Sequence, residues 1–393
     1  MLFGGLHKLR YNTPMRLTYK YRLFPTSAQR TSLQQTLEAC RWLYNKTLET
    51  RKNAWEQEQR SVGRYDTVNM ILQWRTEQPM LSGVHSQVLQ EVCTRVDLAF
   101  QAFFRRVKAG DKEVGYPRFK GYGRYDSFTY PQSGFKLTGE KLTISKIGDI
   151  AIKMHRPICA TVKTLTIQRD AVGNFYACFS CEHEPTSLAP TPNVVGIDLG
   201  LTTFAYFSNG DKIKRQRWMK QDADDIARLQ RKKEQFVKGS SERRNVVHAL
   251  CHAYERAANR RRNFAHQESR KLVNEYQFIA FEKLDIQDMQ VNGNKTISRG
   301  IADVAWGQFV QFTTYKAANA GRVVAQVNPR GTTQICSGCG VIVPKDLSVR
   351  IHDCPDCGLK LNRDHNAALN ILARGLASIN ASLLDEVVEA HRL

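Results

Sequence analysis

Val194-Val-Gly-Ile-Asp-Leu-Gly200 is the stretch on which the fold turns. It is an apolar run of strand length that meets an acid, Asp198, and ends in glycine, the pattern of a buried strand. Phe204-Ala-Tyr-Phe207 reads as a second strand and Asp211–Arg215 as a candidate third. A long helical stretch covers about 222–275, broken at Gly239-Ser240-Ser241. Phe278-Ile-Ala-Phe-Glu282 then repeats the opening pattern, an apolar strand closed by an acid. A helix at about 302–320 leads into a strand at Arg322–Val327, a cysteine-bearing segment interrupts at 331–360, and Asp364–Leu376 is a final helix. Strands followed by helices, opening on a strand pair, make an α/β layer fold.

Upstream the texture differs. Leu17–Phe24 reads as a strand, stopped by Pro25, and Thr26-Ser-Ala-Gln29 has the form of a capping box that starts a helix. Leu33, Leu37, Cys40, Leu43 and Tyr44 follow at helical spacing, as do Val88, Val92, Val96 and Phe100. Residues 26–110 therefore form a helical subdomain. Short strands follow at Ser127–Tyr130, Lys141–Ile144, Ile150–Lys153, Thr161–Arg169 and Asn174–Glu182, with turns such as Ala171-Val-Gly-Asn174 between them. That spacing suggests a small β-barrel, with the 17–24 strand a candidate to close it and the helices inserted. Ser187-Leu-Ala-Pro-Thr-Pro192 reads as a linker.

In an open α/β sheet the C-terminal strand ends line one edge, where sites form. Asp198, Glu282 and Asp364, the last near a helix start, are placed to meet there. Taken alone, an acid after a strand is most often a turn residue; three acids at fold-consistent places make a cluster. Carboxylates are the ligands that hard divalent cations such as magnesium prefer, and two such ions about 4 Å apart hydrolyse phosphodiesters.

Cys336-Ser-Gly-Cys339 and Cys354-Pro-Asp-Cys357 are separated by fourteen residues, and a glycine follows each pair. Four thiolates at this spacing give closed tetrahedral zinc coordination, a structural site. Cys178 and Cys181 also form a C-x-x-C pair, but within a strand, where residues three apart face opposite ways; buried structural cysteines are expected there.

The chain has 393 residues, 42% of them hydrophobic, enough for two to four domains, and a net charge of +21. Such an excess points to a polyanion, with DNA or RNA the default. No apolar stretch approaches the roughly 18 residues of a membrane span, and residues 1–8 lack signal-peptide features, so a cytoplasmic protein is expected, with no membrane partner. Residues 226–271 carry thirteen Lys/Arg against four Glu. They suggest a helical hairpin on which Arg243, Arg244, Arg260, Arg261 and Arg262 are either phosphate contacts or a solvated face. Aromatics lie among basic residues around Arg41, and around Arg118 and Lys120 in Tyr116-Pro-Arg-Phe-Lys120; they stack bases or pack a turn.

In order along the chain, Gly196–Gly200, Phe281-Glu-Lys-Leu284, Thr332–Gly340, Cys354–Gly358 and Asn362-Arg-Asp-His-Asn-Ala-Ala-Leu-Asn-Ile371 resemble TnpB, the OrfB protein of bacterial insertion sequences, a family similar to the type V CRISPR effectors. Tyr21–Thr26, Arg41-Trp-Leu-Tyr-Asn45 and Tyr116–Lys120 also resemble it. The likeness runs from about residue 17 to 375. Thr332-Thr333 stands where the family often has Thr-Ser, a difference that carries no functional expectation.

The resemblance implies a multidomain α/β protein. A RuvC-type, RNase H-like nuclease domain would span 191–330 and 361–376, with a zinc-ribbon insert at 331–360. A wedge β-barrel would comprise 1–25 and 111–190, with 26–110 as an inserted recognition subdomain and 377–393 as a tail. It implies an RNA-guided DNA endonuclease encoded by a transposon, with Asp198, Glu282 and Asp364 holding two magnesium ions and the four cysteines holding one zinc. Its partners would be a guide RNA made from the transposon end and double-stranded target DNA with a short adjacent motif. A transposase that transfers strands with the same acids, a guided repressor without nuclease activity, and a CRISPR-associated effector are the alternatives.

Overall fold

The computed structural model describes residues 15–111, 114–286, 289, 295–346 and 348–390. The expectations for residues 1–14 and 391–393 lie outside them. No helix among the described residues is long and apolar enough to cross a membrane. The chain folds as two units, the first closing at His183 and the second opening at Glu184.

In the first unit, β1 (Met15–Phe24) leads into α1 (Ser27–Glu58). Thr26 caps that helix: its hydroxyl accepts from the Gln29 amide, and the Gln29 side chain accepts from the Thr26 amide. The short helices α2 (Arg64–Asn69) and α3 (Ile71–Glu77) precede α4 (Ser86–Lys108). Val88, Val92, Val96 and Phe100 form one buried stripe of α4, which packs on α1.

The strands that follow are β2 (Ser127–Tyr130), β3 (Phe135–Thr138), β4 (Lys141–Ile144), β5 (Gly148–Lys153), β6 (Thr161–Arg169) and β7 (Phe175–His183). With β1 they make a seven-stranded antiparallel sheet in the order β2-β6-β7-β1-β5-β4-β3. Burial alternates along β7, where Phe175, Ala177, Phe179 and Cys181 point inward. The edge strands β2 and β3 are neighbours in sequence. Tyr130 on β2 packs edge-on against Phe135 on β3, and its hydroxyl donates to the Ser145 carbonyl at 3.1 Å. The sheet thus nearly closes on itself. The β3 strand has no counterpart in the sequence reading, where Phe135–Thr138 passes as a turn between louder strands. Of the C-x-x-C pair on β7, Cys181 is buried and Cys178 half-buried.

The second unit holds the five-stranded sheet. Its strands are β8 (Val194–Leu199), β9 (Thr203–Phe207), β10 (Lys212–Lys214), β11 (Phe278–Glu282) and β12 (Val323–Val327), in the order β10-β9-β8-β11-β12. The β8, β11 and β12 strands run parallel; β9 and β10 return antiparallel. Between β10 and β11 lie α5 (Trp218–Gln221), α6 (Ala223–Glu234) and α7 (Ser241–Glu275), the last capped by the Ser240 hydroxyl. The single helix expected at 302–320 is two, α8 (Lys295–Val304) and α9 (Trp306–Ala320), because Ala305 between them is left-handed at φ 52°. A two-stranded ribbon, β13 (Ile351–Asp353) with β14 (Lys360–Asn362), precedes α10 (Arg363–Ala390). That helix runs well past Leu376, so most of the expected tail is its continuation.

The α10 helix lies directly on β8 and β11. A Cβ built on Gly196 would stand 2.2 Å from the Ala368 carbonyl oxygen and 2.5 Å from the Leu372 nitrogen. On the helix side, a Cβ on Gly375 would meet Ala280 Cβ at 2.7 Å. Gly196 lets the helix and sheet backbones touch, and Gly375 lets the helix backbone rest on the Ala280 and Phe278 side chains. Gly196→Ala is therefore expected to cost about 1–3 kcal/mol or more by overpacking. Thermal or denaturant unfolding measures this, and an unchanged midpoint would refute the contact.

Candidate active site and metal centre

The parallel register pairs Gly196 with Ala280 and Ile197 with Phe281, so the next residues, Asp198 and Glu282, stand side by side at the strand ends. Asp364 is the second residue of α10. The Asn362 side chain accepts from the Asp364 amide at 2.8 Å and the His365 amide at 3.4 Å, capping the helix and fixing where the acid emerges. The helix dipole favours a carboxylate at that end. The sheet edge and the helix start thus bring the three acids into one electrostatic neighbourhood. Burial, then repulsion from Glu282 and Asp364, holds Asp198 well above the usual carboxylate range; Arg363 works weakly against this. Burial also raises Glu282, opposed by a hydrogen bond from the Thr332 hydroxyl and by Arg374.

The residues around Asp364 carry the rest of the construction. The Asn366 side chain is fully buried, donates to the Ile335 carbonyl at 2.8 Å and accepts from the Ser337 amide at 2.9 Å. Asn370 donates to the carbonyls of Thr332 and Ile335 at 2.8 and 2.7 Å. Arg374 donates to those of Asn328 and Arg330 at 2.7 and 2.9 Å. One polar stripe of α10, at four-residue spacing, thereby fastens the loop leaving β12 and the first cysteine knuckle. His365 contacts the Ser208 carbonyl through Nε2 at 3.0 Å and stacks on Tyr206. Sequence reasoning passed over these residues, and over Thr332; the periodic Asn366, Asn370 and Arg374 were the available signal.

The four cysteines do gather. Their sulfurs all lie within 4.8 Å of one another, and among the described residues no other group of three or more His, Cys, Asp or Glu residues does so. The three carboxylates are spread more widely. Cys336 and Cys357 sulfurs are 3.6 Å apart, and those of Cys339 and Cys354 3.5 Å, near the roughly 3.8 Å edge of a tetrahedron with 2.3 Å metal–sulfur bonds. The two knuckles are built alike. The Gly340 amide donates to the Cys336 carbonyl at 2.9 Å, and the Gly358 amide to that of Cys354 at 3.0 Å. Both glycines are left-handed, at φ 81° and 71°, which explains a glycine after each pair.

The basic candidates fall into two groups. Arg41 pairs with Glu38 and donates to the Lys120 carbonyl at 3.2 Å, while Asn45 bonds both the amide and the carbonyl of Lys120. Arg243 caps the carbonyls of Lys233 and Phe236, Arg260 pairs with Asp222, and Arg261 donates to the Ala302 carbonyl. These guanidiniums hold loops and helices together. Arg118, Arg244 and Arg262 are exposed.

Three family profiles match the chain. One described as "Helix-turn-helix domain" covers residues 15–60, one described as "Probable transposase" covers 178–292, and one described as "Cas12f1-like, TNB domain" covers 306–371. The first of these segments here is a strand followed by one continuous helix. A Streptomyces pristinaespiralis protein named "Putative RNA-guided DNA endonuclease" is 33% identical over 368 residues, covering 92% of this chain and 89% of the relative. The protein InsQ of Escherichia coli K12, with the same description, is 28% identical over 393 residues, 95% of each chain. A solved Cas12f1 complex with sgRNA and target DNA shares the fold, with a TM-score of 0.58 at 11% identity over 91% of this chain and 98% of that one. By sequence across nearly its whole length, the chain belongs to the TnpB (OrfB) family, related to Cas12.

Proposed function

We propose that the protein is a transposon-encoded, RNA-guided DNA endonuclease that hydrolyses phosphodiesters at Asp198, Glu282 and Asp364. The observation that carries this is the placement of the three acids: Asp198 and Glu282 close adjacent parallel strands in register, and Asp364 opens the helix that lies on them. The Asp198 carboxyl is repelled by the two other acids, an arrangement that bound cations would relieve. The five-stranded sheet with α10 across it then serves as the RuvC-type, RNase H-like nuclease domain. The nearly closed sheet of the first unit serves as the wedge, with α1–α4 as the recognition part, and the cysteine ribbon as a target-nucleic-acid-binding insert. Guide RNA and double-stranded DNA are the partners, as the relatives' names and the solved Cas12f1 complex suggest for those proteins. The cytoplasm is the place of action.

Two magnesium ions, when bound, would supply an activated water and stabilise the leaving oxygen. The chain's own part is positional. The β8 and β11 ends hold Asp198 and Glu282 in register, Thr332 fixes one Glu282 oxygen by its hydroxyl, and the Asn362 cap sets Asp364. The four thiols fit one structural zinc, with no ligand position left for chemistry. Exposed Arg118, Arg244 and Arg262 supply sequence-blind phosphate contacts.

Asp198→Ala is expected to abolish cleavage of target DNA while leaving RNA binding intact; retained cleavage would sink the assignment. The sign of the Asp198 shift gives a second test. An acid raised in the folded state costs stability as pH climbs from its unfolded value through its folded one, so at neutral pH this acid weakens the metal-free fold. Asp198→Asn should melt higher than the parent in chelator at pH 7, and magnesium should stabilise the parent more than the variant. A variant that melts lower, or gains as much from magnesium, contradicts this. Sequencing the RNA that copurifies with the protein separates guidance from unguided action. A discrete species is expected, and no bound RNA would favour a strand-transferring transposase.

A further inference from the structure

Asp364 sits in the first turn of α10, where the backbone amides lack partners within the helix. Its neighbours tie that turn to its surroundings in two directions. Arg363 donates to the Asp346 carbonyl at 2.9 Å and Asn366 to the Ile335 carbonyl at 2.8 Å, both on the side of the cysteine ribbon. His365 reaches the other way, to the sheet that carries Asp198. A carbonyl oxygen can only accept, so the His365 Nε2 bears the hydrogen and donates to the Ser208 carbonyl at 3.0 Å.

Ser208 is itself locked to β8. Its amide donates to the Gly196 carbonyl at 2.9 Å, and its hydroxyl accepts from the Gly196 amide at 3.1 Å. Asp198 stands two residues further along the same strand. The turn around Ser208 is closed as well, with the Gly210 amide donating to the Phe207 carbonyl at 3.0 Å and the Phe207 amide to the Asp211 carbonyl at 2.9 Å. The antiparallel register sets Tyr206 directly opposite Asp198, and opposed residues share a face of the sheet. The Tyr206 ring stacks on the His365 ring, with centroids 5.6 Å apart and planes 25° from parallel. The imidazole is held at its edge by a hydrogen bond and on its face by a ring. Both contacts lead back to the strand pair that bears Asp198.

We propose that His365 is a positioning residue of the nuclease site: by gripping Ser208 and Tyr206 it registers the first turn of α10, and with it Asp364, against Asp198. The proposal rests on the reading of Asp198, Glu282 and Asp364 as ligands of divalent cations. Packing at Gly196 sets the helix one turn further on, beside Ala368 and Leu372, whereas the His365 contacts set the turn from which Asp364 emerges. Without them that turn answers to its ribbon-side bonds, and the carboxylate shifts relative to the two strand acids. Magnesium tolerates such a shift poorly, because it demands near-ideal octahedral geometry.

The test compares the full-length parent with His365→Leu, His365→Gln and His365→Asn, titrating magnesium in two assays. One is cleavage of target DNA by protein loaded with its copurifying RNA; the other is the rise in melting temperature over chelator. His365→Leu should raise the half-saturating magnesium in both by about 10–100-fold, as loss of a partner behind a metal ligand does. RNA binding should be unchanged, and cleavage should largely return at saturating magnesium. His365→Gln, whose amide places a donor where Nε2 stood, should recover most of the parent's affinity for magnesium. His365→Asn, whose shorter amide does not reach Ser208, should behave like His365→Leu. The Gln–Asn pair differs by one methylene, so it carries the comparison even where His365→Leu fails to fold. Half-saturating magnesium within about twofold of the parent for His365→Leu or His365→Asn overturns the positioning role, and so does a variant that only melts lower with its magnesium response intact. His365→Gln no better than His365→Asn overturns the hydrogen bond as its cause. A parent with neither magnesium-dependent cleavage nor a magnesium-dependent rise in melting temperature sinks the metal reading of the three acids, and the positioning role with it.

Discussion

The second unit depends on a place where a side chain is missing. At Gly196 the backbone of α10 rests on the backbone of β8, closer than any Cβ would permit, and Gly375 permits the matching approach of the helix to β11. Packing at that range fixes the helix axially as well as laterally, because a shift of one residue would drive a side chain into a carbonyl. Asp364, one turn before Ala368, is thereby set at the same edge as Asp198, which lies two residues beyond Gly196 on the strand. The two acids are brought together by a contact that neither of them makes.

The same helix then reaches outward. Asn366, Asn370 and Arg374 spend their donors on carbonyls of residues 328–335, and Asn366 also accepts from the Ser337 amide. A loop of that kind would otherwise leave its carbonyls to water. Tied down, it presents Thr332 to Glu282 and Cys336 to its three partners. Carboxylate cluster and cysteine cluster are therefore mechanically joined through one helical face.

Much of this was legible before any coordinates. Apolar strands ending in acids, the paired C-x-x-C knuckles with their glycines, and the capping box at Thr26 each have a local cause, and local causes leave local marks. The strands at 127–130, 141–144, 161–169 and 278–282 keep their read boundaries. The misses share a different origin. Ala305 breaks a helix with a residue of high helix propensity, so tertiary packing overrides the local signal. Thr332 carried no weight in the sequence because its partner, Glu282, lies 50 residues away. Arg243 and Arg260 read as free charge because the carbonyls and the carboxylate that hold them are distant or unremarkable in the chain. Of the candidate site, two acids were visible at strand ends and the third near a helix start; what holds them was not.

The charge balance closes the account of the fold. The chain carries a net +21, yet its most crowded carboxylates gather where few cations answer them. Arg363 beside Asp198 and Arg374 beside Glu282 only oppose the dominant effect of burial, and both guanidiniums are already engaged with backbone carbonyls. A fold selected for stability alone would place a neutral or hydrogen-bonded side chain at 198, since an acid raised by burial and like charge weakens the native state at neutral pH. Part of the basic excess lies instead at exposed positions such as Arg118, Arg244 and Arg262. A net positive charge of this size is the arrangement of a protein that draws a polyanion to its surface.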